Sequence, residues 1–386
     1  MSSSRWSDDA FLDTLRRVGD PSADAAVAAL AADGGEPAVG RVFRILKAND
    51  TPLPADAPPP LHAFMAATTT LPPGVDQHRL VRGGAAFLKN ALPSVVVLLA
   101  SSLPRGYAAP CLTEILTISK DLERHPFARL MGVVQLLLNI SDGDAFQPQG
   151  RAIVTAQKLR LLHAGVRRIT AQYRPRYEAM FGIPVNQEDR LATIMGFSYL
   201  LIDGIHRLGL PLQDEEAEDL YYLWQVFARL MGIHPEGRPD DDSRIPPTIA
   251  DAGTFYAAYV RRNDTGPSRN PAGVVLTQDN LTMMRSMIPW WLRILGLGLA
   301  PSIFMTEVMT GEELARVGVT PIAGHRAIKA FLSRIVRLGQ DVGEDTRFES
   351  RLARRLLQGM VDLDRRGEVP FSIPFSRYDL RGAGFE

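Results

Sequence analysis

Apolar residues recur along most of the chain at intervals of three and four, and alternation at two is rare, which predicts helices and not strands. The helical period covers roughly 85–102, 111–124, 126–138, 153–174, 187–208, 214–231, 249–262, 277–287 and 311–315, with further runs at 321–338 and 346–364. An alanine-rich helical start breaks at Gly34 and Gly35, and another amphipathic stretch begins at Arg41. Thr310, followed three residues later by Glu313, fits a capping box ahead of Leu314. Asp214, Glu215 and Glu216 place negative charge where a helix N-terminus favours it. Polar, turn-forming segments at 141–150, 234–246 and 263–273 separate the runs. The pattern predicts an all-α protein with one large helical domain. The prolines of TPLPADAPPP, Thr51 to Pro60, cannot lie inside a helix. The expected organisation is therefore an N-terminal helical arm with its connector over 1–60, a helical domain over 61–366 and a tail over 367–386.

Composition narrows the function. Hydrophobic residues make up 46% of the 386 and charged residues 22%, enough for a sizeable core. Lys plus Arg and Asp plus Glu are 43 each, so the formal charge is zero. That argues against a nucleic-acid binder and against a polybasic membrane-surface protein. The single cysteine, Cys111, rules out an intrachain disulfide or a cysteine-held zinc or iron–sulfur centre, and its apolar surroundings suit an inert buried thiol. The first residues, MSSSRWSDDAFLDTLRRVGD, lack an apolar export segment, so a cytoplasmic location is expected. Val95 to Ala100 is too short to span a bilayer, which takes about 20 residues. The stretch Met287 to Met305 is longer but contains Arg293, Pro289 and Pro301. It reads as a buried helix pair or as a greasy surface lip touching lipid, not as a transmembrane segment.

Two segments carry candidate chemistry. In QKLRLLHAGVRR, Arg160, His163 and Arg167 are spaced three and four apart and share one helix face with apolar neighbours. Two adjacent cations would hold His163 neutral, able to ligate a metal or bond an acid. The alternative is a satisfied core histidine, with both arginines paired to acids across a helix interface. In the run 187–208, Leu191, Met195, Ser198 and Ile202 form an apolar stripe. Thr193 and Ser198 are its polar exceptions, and Gly196 allows close approach of a backbone or flat ligand. Plain helix packing is the competing reading. The remaining histidines, His62, His78, His125, His206, His234 and His325, occupy turns or helix ends. There is no HExxH or G-x-S-x-G motif.

With those segments in view, the chain resembles a known family. LPSVVVLLASSLPRGYA (Leu92 to Ala108), QKLRLLHAGVRR (Gln157 to Arg168), GIPVNQEDRLATIMGFSYLLIDGIHRLGL (Gly182 to Leu210) and YYLWQVFARLMG (Tyr221 to Gly232) are similar to the latex clearing protein, or rubber oxygenase, family. That family includes the oxygenase that cleaves the side chain in mycophenolic acid biosynthesis. The resemblance implies a globin-like helical core, b-type haem and oxygen-dependent attack on a carbon–carbon double bond of a hydrophobic substrate.

It also implies a proximal histidine on the helix carrying Thr193, Met195 and Ser198, which are the expected cofactor-binding residues. Met195 stands in that slot. Three outcomes follow: Met195 ligates the iron, His163 takes over, or haem has been lost. The family's distal arginine is matched best by Arg160 or Arg167; both could stabilise charge developing on bound oxygen, and His163, if not a ligand, could act as the acid–base. Latex-degrading members are exported, so the expected substrate here is a small intracellular terpenoid, lipid or polyketide. Two other classes stay open: a haem-free tailoring enzyme using the Arg–His–Arg row, and a non-catalytic carrier of an apolar ligand. Nothing in the sequence fixes an oligomeric state.

Overall fold

The computed structural model describes residues 4–322 apart from 34, 119–125, 289 and 295. The expected helices at 321–338 and 346–364, the domain end at 366 and the tail, together with His125 and His325, lie wholly or almost wholly outside them. Among the described residues every regular element is helical, as the spacing predicts.

Several predicted runs prove to be bent. The run at 85–102 belongs to two helices, Gln77–Lys89 and Ala91–Tyr107, that meet at 76°. The break falls at buried Asn90, whose Nδ2 donates to the carbonyl of Ala86 at 3.0 Å. The run at 187–208 divides at Ser198, with helices Gln187–Phe197 and Tyr199–Arg207 on either side. There the serine hydroxyl bonds back to the carbonyl of Ile194 at 2.8 Å, a local competition that commonly bends helices. The helix expected from 277 starts earlier, at Pro271, capped by Asn270. Thr310 and Glu313 form the capping box. The acidic turn at 214–216 begins a helix at Asp214, with Gln213 at its N-cap.

Helices Gln77–Lys89 and Asp214–Leu230 pack closely at the centre. Gly83 makes this approach possible, and Gly84 does the same for the helix Pro126–Ser141. A Cβ on Gly83 would run into the carbonyl of Asp219, and one on Gly84 would lie 2.6 Å from the carbonyl oxygen of Ser141. Arg79 and Arg82 close the edge of this contact on Asp219, at 2.8 and 2.5 Å.

The N-terminal helices pack on the rest of the chain. Trp6, Leu12 and Leu15 belong to the main core. Ala23, Val27, Leu30, Phe43 and Phe64 form a second cluster against Val154, Leu161 and Ala164 of the helix Ala152–Tyr173. Both sides of the proline-rich connector therefore pack on the same long helix.

Candidate active site

A cavity of about 380 Å³ lies between the helices Ala91–Tyr107, Ala152–Tyr173, Gln187–Phe197, Asp214–Leu230 and Ile249–Asn263. Its walls are mostly apolar, including Leu98, Leu159, Leu162, Phe197, Trp224 and Phe227. Phe197 stacks on Trp224 with ring centres 5.1 Å apart.

One wall owes its shape to proline. Pro104 has no N–H, and its ring crowds the carbonyl four residues back. The preceding turn, Leu98–Ser102, widens to a π-helix in which the N–H of Leu103 reaches the carbonyl of Leu98. The carbonyl of Leu99 is met from outside by Asn280 Nδ2 at 2.7 Å. Ser102, at the end of this turn, borders the cavity and donates to the carbonyl of Gly196 at 2.6 Å.

The opposite wall starts with five consecutive buried polar residues, Asn186 to Arg190. Asn186 caps the helix, accepting from the backbone N–H of Asp189 at 2.9 Å. Gln187 Nε2 donates to the carbonyls of Gly232 and His234. Glu188 meets Arg16 at 2.7 Å and Arg262 at 3.1 Å. Arg190 donates to the carbonyls of Met231 at 2.6 Å and Gly19 at 2.7 Å, while its Nε has no partner. Just before the cap, Val185 borders the cavity with φ 54°, a conformation a β-branched residue rarely adopts.

Asp189 borders the cavity from this turn, and among the described residues no cation is bonded to it. Its Oδ1 accepts from the Tyr259 hydroxyl at 3.2 Å and lies 3.6 Å from Cys111 Sγ, and its Oδ2 accepts from Asn186 Nδ2 at 2.9 Å. Burial, with Glu188 adjacent, raises its pKa to about 7. Cys111 is itself buried and its thiol is pushed up, chiefly by burial, so it serves this cluster as a weak donor and not as a nucleophile.

The six residues singled out in the sequence separate. His163 and Thr193 border the cavity. Arg160, Arg167, Met195 and Ser198 do not. Arg160 is buried in a two-pronged pair with Asp20, at 2.7 and 2.9 Å, and Arg167 pairs with Asp24 at 2.7 Å. The row is thus divided between two neighbours: the cations pair with the start of the helix Pro21–Ala32, and the histidine borders the cavity. Stabilising charge on a reacting group there is not a task their placement allows. Met195 is packed in the core, so its sulfur is no ligand for anything in the cavity. Ser198 spends its hydroxyl on its own helix. Thr193 does likewise, donating to the carbonyl of Asp189 at 2.9 Å.

His163 is deeply set, and the surface it retains faces the cavity. Its Nδ1 is buried without a hydrogen bond. Among the described residues no hydrogen bond reaches its Nε2 either. Desolvation, then Arg190 and Arg167, lower its pKa to about 3, so the imidazole is neutral at ordinary pH. No cluster of three or more His, Cys, Asp or Glu among the described residues could hold a bare metal ion. A porphyrin iron needs only one axial donor, and a neutral imidazole open to an apolar cavity meets that need. Among the expected ligands, His163 fits and Met195 does not.

Asp189, Arg190 and Tyr259 went unnoticed in the sequence. The signal was NQEDR, a polar run opening an otherwise apolar helix.

Comparison with known proteins agrees with this architecture. Residues 80–339 match the family described as ER-bound oxygenase mpaB/B'/Rubber oxygenase, catalytic domain. A rubber oxygenase from Streptomyces sp. (strain K30) is 30% identical over 232 residues, which cover 58% of this chain and 55% of the relative. The match therefore spans about half of that protein's length. A solved structure of the latex clearing protein LCP in the closed state superposes with a TM-score of 0.73 at 22% identity, covering 93% of this chain and 94% of that one.

Proposed function

The chain belongs to the family of ER-bound oxygenases mpaB/B' and rubber oxygenases, and from that premise we propose that its cavity oxygenates an unsaturated hydrophobic small molecule with molecular oxygen, using haem b held by His163. The observation that carries this reading is the neutral, unpartnered imidazole of His163 on the wall of an apolar cavity. A terpenoid, lipid or polyketide with a carbon–carbon double bond has the right character, and the outcome is cleavage of that bond or another oxygenation. Haem, when bound, supplies the capture and activation of oxygen.

The chain's own groups do the rest. Leu98, Leu159 and Phe227 exclude water and bind the apolar body of the substrate. Asp189 can carry a proton at neutral pH, shared among its own Oδ1, the Tyr259 hydroxyl and Cys111 Sγ. That gives the wall an acid that needs no bulk water.

One observation favours a second reading. Ligating imidazoles are usually oriented by a bond from their other nitrogen, and His163 Nδ1 has none. In a haem-free tailoring enzyme, His163 and Asp189 would instead exchange protons with a substrate undergoing rearrangement.

The test is a visible spectrum of protein expressed with a haem precursor, followed by oxygen uptake. A Soret band in the wild type, lost in His163→Ala, is expected. A colourless wild type with blank iron and haem assays refutes the haem reading, and turnover without oxygen would then establish the second.

A further inference from the structure

We propose that the corner carrying Met287, Trp290, Trp291, Ile294 and Leu299 seats this protein on a lipid surface carrying negative charge. The proposal goes beyond the chemistry of the cavity and does not depend on it.

Large exposed apolar side chains are few among the described residues, and they are concentrated here. Val81, Leu92, Met180 and Val275 are scattered along the chain, whereas Met287, Trp290, Trp291, Ile294 and Leu299 fall together. Trp290 is 66% exposed and Ile294 74%. They are spaced four apart on the short helix Trp290–Ile294, so they share a face.

The corner is held from both sides. The helix Pro271–Ser286 before it buries Leu281, Met283 and Met284, and the helix Ala300–Val308 after it buries Ile303, Met305 and Val308. Between them Gly296, with φ 87°, turns the chain, and a Cβ added at Gly298 would lie 3.7 Å from the aliphatic stem of Arg293, in ordinary contact. The exposure is therefore built into a braced turn.

Charge selects the partner. From Asn280 to Thr306 the only ionisable residues are Arg285 and Arg293, with no acid between them. Arg285 is tied to Ser302 Oγ at 3.2 Å, but Arg293 is exposed among the aromatic residues. Tryptophan favours the boundary between lipid headgroups and acyl chains, and an arginine beside it can bury its stem and keep its head at the phosphates. The chain has zero formal charge overall, so the attraction would be local. A short amphipathic corner of this kind seats shallowly, about 5–10 Å into the interface.

The experiment is co-sedimentation of the full chain with vesicles of phosphatidylcholine, alone or mixed with phosphatidylglycerol. The wild type should pellet with both and more strongly with the anionic mixture. The double variant Trp290→Ser, Trp291→Ser should lose at least about tenfold in partitioning. Arg293→Gln should lose about fivefold, on the anionic vesicles only. Melting curves should stay unchanged, because these side chains are outside the core. Wild type that remains in the supernatant, or a double variant that pellets equally well, overturns the proposal. So does a wild-type dimer that dissociates in the double variant while vesicles go unbound, since the corner then joins two copies. Acrylamide quenching that is the same in both proteins without vesicles would show the tryptophans already covered by the chain itself, and that result overturns the proposal too.

Discussion

Replacing Asp189 by asparagine removes one ionisation from the cavity wall and keeps the side chain's shape. The amide can imitate the protonated acid, its nitrogen towards Tyr259 and Cys111 and its oxygen accepting from Asn186. In the fold the acid titrates at about 7, against 3.8 for an ordinary aspartate. An aspartate raised in this way holds its proton in the fold while the unfolded chain has lost it. Stability therefore falls as pH rises from about 4 to about 7 and then levels off, by about 4 kcal/mol over the whole window. His163 acts in the opposite sense. Its pKa is lowered to about 3 in the fold from 6.5, so its contribution is complete above 6.5 and is lost as pH falls towards 3. The two slopes oppose each other between pH 4 and 6.5. A wild-type profile alone would conceal both, so the readout is the difference between variant and wild type. Asp264, also raised to about 7 by burial, is present in both proteins and cancels. Urea unfolding followed by circular dichroism from pH 4.5 to 8 should show Asp189→Asn gaining on the wild type up to about pH 7 and then holding that gain. A constant difference across that range would refute the account of Asp189 as a neutral acid.

Asp20→Asn should destabilise the protein by about 3–5 kcal/mol in urea unfolding at pH 7, because Arg160 loses its buried counter-charge and Arg190 a close one. Gly84→Ala should cost about 1–3 kcal/mol by thermal melting, since the new methyl meets the backbone of Ser141. Met195→Ala should lose about 2–5 kcal/mol of stability yet keep any haem spectrum, whereas His163→Ala should lose the spectrum; the reverse pattern would return the ligand to Met195.

Helix content was legible because each helix buries a stripe, and that stripe repeats in the sequence with the helix's own period. Breaks at Asn90 and Ser198 were not, because they depend on side chains bonding to carbonyls within the same helix, which periodicity does not register. The row Arg160–His163–Arg167 shows a subtler limit. Spacing places three residues on one side of a helix, but that side is broad enough to face two neighbours. Asp20 and Asp24, distant in sequence, draw the cations to one neighbour, and His163 is left to the cavity. Asp189 was hidden for the converse reason. Polar residues at a helix start usually face water, and only the fold reveals that this start is covered by residues 16–20 and 231–234.

The family match begins at residue 80, yet the polar wall of the cavity is completed from well before that point. The backbone of Arg16 accepts from Ile183, that of Val18 from Gln187 and that of Gly19 from Arg190, while the Arg16 side chain neutralises buried Glu188. A chain starting at residue 61 would lose these bonds and the Asp20 counter-charge of Arg160. It would also uncover apolar side chains that the first 60 residues bury, Val154, Leu161 and Ala164 among them. Each such side chain contributes about 1.5–3 kcal/mol when fully buried, against about 5–15 kcal/mol for the stability of an ordinary domain. The fragment 61–386 should therefore keep helical far-ultraviolet signal but lose the sharp near-ultraviolet signature of Trp224 and its neighbours, along with any haem binding. A fragment that melts cooperatively at the wild-type temperature would mean that the first helices merely adhere to a cavity able to form without them.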